Sequence, residues 1–241
     1  MFGMFGYGIF GLGLMALAIL HFIKKQPEYY WLWIIIMLGP IGALIYLATQ
    51  AAPEIGDPGT FKFLDRRARI KRLEMMIHDN PSAGNFEELG QLYLDGSRWA
   101  DAKKCFDRSL SQRVDSPDPF YRRGIAEVQL ADFAAARADL EQVCSRERGY
   151  DFNRALGLLA YAYARTGDTA KAESLFNEVL RTSTLTETEL HYAELLAQLG
   201  RKQEAREVAE RILSKRHTMP GFLKRRERPL FRQTKSLLRS L

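Results

Sequence analysis

Side chains recur at a fixed interval of 34 residues through the middle of this 241-residue chain. Gly90 returns as Gly124, Trp99 as Phe133, Ala102 as Ala136 and Phe106 as Leu140. Two further copies follow with a drift of one or two residues, which a loop can absorb. They run through Gly167, Ala172 and Phe176, then through Gly200, Ala205 and Ile212. A period of roughly 20–50 residues means a solenoid, in which each unit buries its apolar face only on its neighbours. The apolar spacing inside each unit is helical, so the expected class is all-α.

The motifs within the period carry a resemblance. They are Leu89-Gly90-x-x-Tyr93, Trp99-x-x-Ala102-x-x-x-Phe106, Gly167-Asp168-x-x-x-Ala172-x-x-x-Phe176 and Gly200-x4-Ala205. They resemble the tetratricopeptide repeat family, with four units over 82–215. The small residues fall where two helices cross closely, and the large ones fill the gap between units. Gly167 and Gly200 suit the left-handed position after a helix. Glu127 departs from the pattern, standing where the resemblance implies Tyr. Solenoid ends need caps. Residues 63–81 read as an N-terminal capping helix. Residues 216–241 read as a basic C-terminal segment whose amphipathic helix, from Arg228 with Pro229 in its first turn, caps the last unit or binds a membrane or partner.

Ahead of the repeats stand two apolar runs, Phe2–Ile23 and Tyr29–Thr49, separated by Lys24-Lys25-Gln26-Pro27-Glu28. About 20 apolar residues suffice to cross a hydrocarbon core as a helix. The expectation is therefore a transmembrane helical hairpin over 1–50, then a Pro/Gly-containing linker over 51–62. A secretory signal does not fit, because no basic n-region opens the chain and no A-x-A-like site precedes Lys24. Gly6, Gly13, Gly39 and Gly42 are the expected helix-packing positions, since small residues let backbones approach closely in lipid. Tyr29, Tyr30, Trp31 and Trp33 read as an interfacial belt, and Pro40 as a kink. Residues 31–47, with Trp31, Trp33, Pro40, Gly42 and Tyr46, resemble the two-span N-terminal module of phospholipase D-type cardiolipin synthases. The H-x-K-x4-D signature of that chemistry is absent: none of His21, His78, His191 or His217 has Lys two places on. Lys24 and Lys25 lie between the runs, against Lys62, Arg66, Arg67 and Arg69 after them. This bias predicts a multi-pass protein of the cell (inner) membrane with its N-terminus and repeats in the cytoplasm.

The formal net charge of +6 is unevenly spread. Residues 214–241 hold nine Lys or Arg against Glu227 alone, whereas 83–213 are net acidic. A basic segment beside a membrane can hold anionic lipid headgroups. No motif for nucleic acid accompanies it. Cys105 and Cys144 lack metal-ligand spacing and read as buried free thiols in a reducing compartment. No nucleophile elbow, phosphate loop or metal cluster is present, so neither an enzyme nor a cofactor is expected.

The expected function is a membrane-anchored adaptor that binds a protein partner in the concave repeat surface. The family resemblance implies that first-helix side chains line that surface. Carried across in register, they are Gln91, Tyr121, Arg122, Ile125, Arg154, Tyr161, Arg165 and Glu194. Three arginines there suggest an acidic peptide or helix, although the Lys-and-Asn clamp for a terminal carboxylate is not matched. The alternative is an accessory structural subunit of a membrane protein complex, held by the Gly-rich hairpin.

Overall fold

The computed structural model describes residues 9–25, 28–51 and 58–241. Every regular element among them is helical. The chain divides into two compact units, Met1–Lys71 and Arg72–Leu241.

In the first unit, α1 is Ile9–Lys25, α2 is Tyr30–Leu38 and α3 is Pro40–Tyr46, followed by a π-helical turn, Leu47–Ala51. Their shared core is Ala18, Phe22, Ile35, Ala43 and Tyr46. His21 Nδ1 and the Tyr46 hydroxyl are 3.0 Å apart. The segment Tyr30–Thr49 has the length and hydropathy of a membrane span, with a mean of 2.1. Gly11–Ile23 is apolar but shorter. The second run is not one straight helix, however, because it breaks at Gly39. Of the expected packing glycines, Gly42 meets a neighbour and Gly39 makes the break, while a Cβ on Gly13 would find open space. Gly6 lies outside the described residues.

The helix α4, Pro58–Asp79, occupies part of the expected linker and all but the end of the expected cap. Leu73 is buried in it, while Met76 is exposed. The Tyr93 hydroxyl donates to Glu74 at 2.7 Å.

Four antiparallel helix pairs follow. They are α5 Ala83–Asp95 with α6 Trp99–Leu110, α7 Asp118–Gln129 with α8 Phe133–Arg146, α9 Arg154–Arg165 with α10 Thr169–Val179, and α11 Thr186–Gln198 with α12 Lys202–Thr218. Local chemistry sets their ends. Ser82, Asp132 and Asp168 cap N-termini by accepting from backbone N–H groups three residues on. Gly167 and Gly200 take φ of +90° and +78°, the left-handed geometry after a helix that glycine adopts without penalty.

Packing follows the period. Ala102, Ala136, Ala172 and Ala205 are fully buried, as are Phe106, Leu140 and Phe176. A Cβ on Gly90 would sit 2.8 Å from the Phe106 ring, so only glycine lets α5 and α6 approach this closely. At the far end, α13 Gly221–Arg226 leads into α14 Arg228–Ser240. Phe231 is buried in one cluster with Leu190, Leu196 and Ile212, and Leu230, Leu237 and Leu241 pack around it. The apolar face of α14 is therefore spent on the last repeat, which leaves its basic face to solvent.

Candidate protein-binding groove

The first helices of successive pairs bring part of the expected set together. A cleft of about 540 Å³ is lined by Gln91, Leu94, Asp95 and Trp99 from the first pair, and by Asp118, Tyr121, Arg122 and Ile125 from α7. Tyr150 and Asp151 from the loop before α9, and Arg154 from the first turn of α9, close it. Gln91, Tyr121, Arg122, Ile125 and Arg154 thus share one site. Tyr161, Arg165 and Glu194 do not line this cleft. Tyr161 stacks on His191 with centroids 3.7 Å apart, and Arg165 lies 4.5 Å over the Phe133 ring. Arg165 also donates to the Tyr161 hydroxyl at 3.1 Å. Burial pushes Glu194 above the usual carboxylate range against the pull of Arg165, and pushes His191 down to about 4.

The loop between α8 and α9 shapes the cleft. Asp151, Phe152 and Asn153 are consecutive non-glycine residues with φ of +49°, +53° and +66°. Left-handed geometry costs roughly 1–2 kcal/mol per non-glycine residue, and such strain persists only where the surroundings impose it. Here the Tyr121 hydroxyl donates to Asp151, and the Tyr150 hydroxyl donates to Asp118 at 2.8 Å. Asn153 Nδ2 donates to Thr182 Oγ1 at 3.2 Å. The rings of Tyr121 and Tyr150 meet edge to face at 5.0 Å. This scaffold holds Phe152 out in solvent at 89 % exposure.

The cleft arginines expected to meet an acidic ligand already have carboxylate neighbours. Arg122 is already paired with Asp118. Arg154 Nε is 2.9 Å from Glu187, and Asp151 lies within 3.9 Å of its Nη1. Burial works against the Arg154 charge, but these carboxylates more than offset it, so the guanidinium stays above its ordinary range. The cleft wall carries Asp95, Asp118 and Asp151 against two arginines. Asp95 has no ion pair among the described residues and accepts only from Gln91 Nε2, at 2.6 Å. A carboxylate can only accept, which fixes the Gln91 amide with nitrogen toward Asp95. Its Oε1 is then a buried acceptor without a donor. The register from the family resemblance locates α7 and α9 side chains, but it cannot find partners supplied by loops and by the next unit. The one sequence signal for the loop is that the 34-residue period slips there.

The family model for the tetratricopeptide repeat matches residues 121–184. Those residues belong to the tetratricopeptide repeat family. The paired helices on either side continue the same architecture, and solved tetratricopeptide structures share the fold. YrrB, described as a protein of this class with an unusual peptide-binding site, aligns with a TM-score of 0.55 at 16 % identity, covering 64 % of this chain and 79 % of that one. MamA from Desulfovibrio magneticus RS-1 aligns with a TM-score of 0.55 at 16 % identity, over 74 % of this chain and 96 % of its own. PilW, a type IV pilus biogenesis factor, aligns with a TM-score of 0.52 at 15 % identity, over 86 % and 94 %. No curated protein matches the sequence. None of these matches supports the resemblance of residues 31–47 to the cardiolipin synthase module.

Proposed function

We propose that this chain is a non-catalytic scaffold that holds a segment of a protein partner in the cleft between α5, α7 and α9. Tetratricopeptide repeats mediate protein–protein interactions as scaffolds, and YrrB is described by its peptide-binding site. The observation that carries the reading is the strained Asp151–Asn153 turn, which is anchored by Tyr121 and presents Phe152 beside the cleft. Aromatic side chains and arginine are the usual anchors of protein interfaces. Because the cleft arginines are already neutralised, the partner segment need not be acidic. A basic side chain fits better, since it would meet the exposed Asp95 carboxylate at the cleft wall.

The scaffold works at a membrane in this reading, in the cell (inner) membrane with the repeats in the cytoplasm. Support comes from the apolar residues that the first unit leaves exposed, among them Leu20, Trp33, Met37 and Leu44, and from the basic flanks. The exposed basic face of α14 would rest near anionic headgroups. The same exposed apolar surface favours a second reading, an accessory subunit seated against another membrane protein.

A photo-crosslinking residue at Ile125, in the cleft, and one at Glu210, on an exposed face of α12, separate the possibilities in native membranes. The reading expects a protein adduct from position 125 and none from 210. Adducts from neither repeat position, with adducts from Met37, would favour the second reading.

A further inference from the structure

The second apolar run is long enough to cross a bilayer, yet its two ends lie side by side. The rings of Trp31, near its start, and Tyr46, near its end, have centroids 5.7 Å apart. A straight helix would separate these residues by about 22 Å at 1.5 Å per residue. The chain reverses at Gly39, whose φ of +59° and ψ of −134° is a backbone conformation open essentially to glycine. Pro40 then opens α3 with its ring-fixed φ and no N–H left to satisfy. Two residues later, a Cβ on Gly42 would lie 2.1 Å from the Ile34 carbonyl oxygen, so the returning helix needs glycine there. Gly39 and Gly42 are both buried. Non-helical backbone at membrane depth is tolerated where protein covers it.

We propose that α2 and α3 form a re-entrant hairpin that occupies one leaflet of a phospholipid bilayer, entering and leaving on the same side. The inference rests on the membrane reading above. Depth supports it: the nine residues of α2 rise about 13 Å, close to half of a hydrocarbon core of about 30 Å. Tyr29, Tyr30 and Trp31 open the hairpin and Tyr46 closes it at the same level, the place of interfacial aromatics. Exposed apolar residues line both arms on the faces that α1 leaves open, with Trp33, Ile36 and Met37 on α2 and Ile41, Leu44 and Ile45 on α3. Lipid covers the whole of such a surface outside the α1 contact, whereas one partner helix or a second copy would leave part of it bare. Charge agrees as well. Re-entry puts Lys24 and Lys25 on the same side as Lys62, Arg66, Arg67 and Arg69, so the basic flanks no longer oppose each other.

The test uses the full chain in native membranes, in a Cys105→Ala/Cys144→Ala background. A single cysteine is placed at Glu28 or at Thr49, and a membrane-impermeant maleimide is applied to vesicles of each orientation. Both sites should label from the same face. In a Gly39→Leu/Pro40→Leu variant, which makes the run one continuous span, the Thr49 site should move to the opposite face. Labelling of Glu28 and Thr49 from opposite faces before that change overturns the re-entrant hairpin while leaving the chain in the membrane. Release of the chain by alkaline carbonate overturns the membrane reading itself. Unchanged Thr49 labelling in the double variant overturns the role given to the Gly39–Pro40 turn.

Discussion

Gly157 on α9 is packed against Thr188 on α11, and this contact fixes how closely the first helices of adjacent pairs approach. A Cβ on Gly157 would sit 2.6 Å from Thr188 Oγ1 and 3.1 Å from its Cγ2, where ordinary contact begins at 3.4 Å. The overlap with the hydroxyl is thus close to 0.8 Å, the difference between 2.6 and 3.4 Å. Thr188 is buried, and a β-branched side chain on a helix has little rotameric freedom with which to yield. Overpacking of this kind costs about 1–3 kcal/mol. Alanine in place of glycine inside a helix returns about 1 kcal/mol. Gly157→Ala should therefore destabilise by roughly 0–2 kcal/mol. Thr188→Ala removes the obstacle, so the double variant should be more stable than the sum of the single changes by about 1–3 kcal/mol. At 2–4 °C per kcal/mol for a chain of about this size, thermal melts of the four proteins by circular dichroism resolve the coupling. Strictly additive shifts would show that α9 and α11 do not meet at this pair, and the repeat register would be wrong.

Three further outcomes are expected. Burial, and after it the Asp139 carboxylate, raises the Glu127 carboxyl to about 7 against the opposing Lys103. The folded chain then keeps a proton that the unfolded chain has lost, so stability falls as pH rises from about 4.5 to about 7, by up to ~3 kcal/mol; Glu127→Gln should flatten that part of the melting profile, and an unchanged slope would refute the assignment. Burial pushes the Cys105 and Cys144 thiols up to about 11, so at pH 8 both should resist alkylation until denaturant is added, and fast labelling of the native chain would contradict their burial. Phe231→Ala should cost about 3–5 kcal/mol at the C-terminal cap and lower hydrogen-exchange protection in α11–α14 while sparing α5–α8; uniform loss of protection would show that α14 is no local cap.

The repeats were legible because their packing is local and periodic. Gly90 against Phe106, Ala102 and its successors, and the left-handed Gly167 and Gly200 all follow from spacing and residue size. Five of the eight expected groove residues were legible for the same reason: Gln91, Tyr121, Arg122, Ile125 and Arg154 fall on first helices and line one cleft. Its chemistry was not. Asp118, Asp151 and Glu187 neutralise the arginines from a helix start, an irregular loop and the following unit, and no periodic pattern encodes these partners. Three successive left-handed residues without a glycine among them leave no compositional mark. In the apolar region, hydropathy counts residues but not their direction. Pro40 was visible and read as a kink, and Gly39 as a packing glycine, but it takes the Trp31–Tyr46 and Gly42–Ile34 contacts to show that the chain turns back. The amphipathic pattern of α14 was plain in the sequence, whereas which surface it covers depended on Leu190 and Ile212 far along the chain.

The groove and the basic C-terminal segment compete as the place where a partner is held. Deleting the segment cannot decide between them, because Phe231 and Thr234 are buried against the last repeat. Surface changes can. Ile125→Arg fills the cleft without touching the tail, and Arg225→Gln/Arg226→Gln/Arg232→Gln/Arg239→Gln removes exposed charge without uncapping the repeats. The decisive measurement is the dissociation constant of the partner crosslinked at position 125 for each of these two full-length proteins in detergent. Loss of at least about tenfold, which is 1.4 kcal/mol, for Ile125→Arg, with little change for the four-arginine variant, is the result predicted here. Unchanged affinity for Ile125→Arg with binding lost in the four-arginine variant would contradict the groove and move the functional surface to residues 215–241.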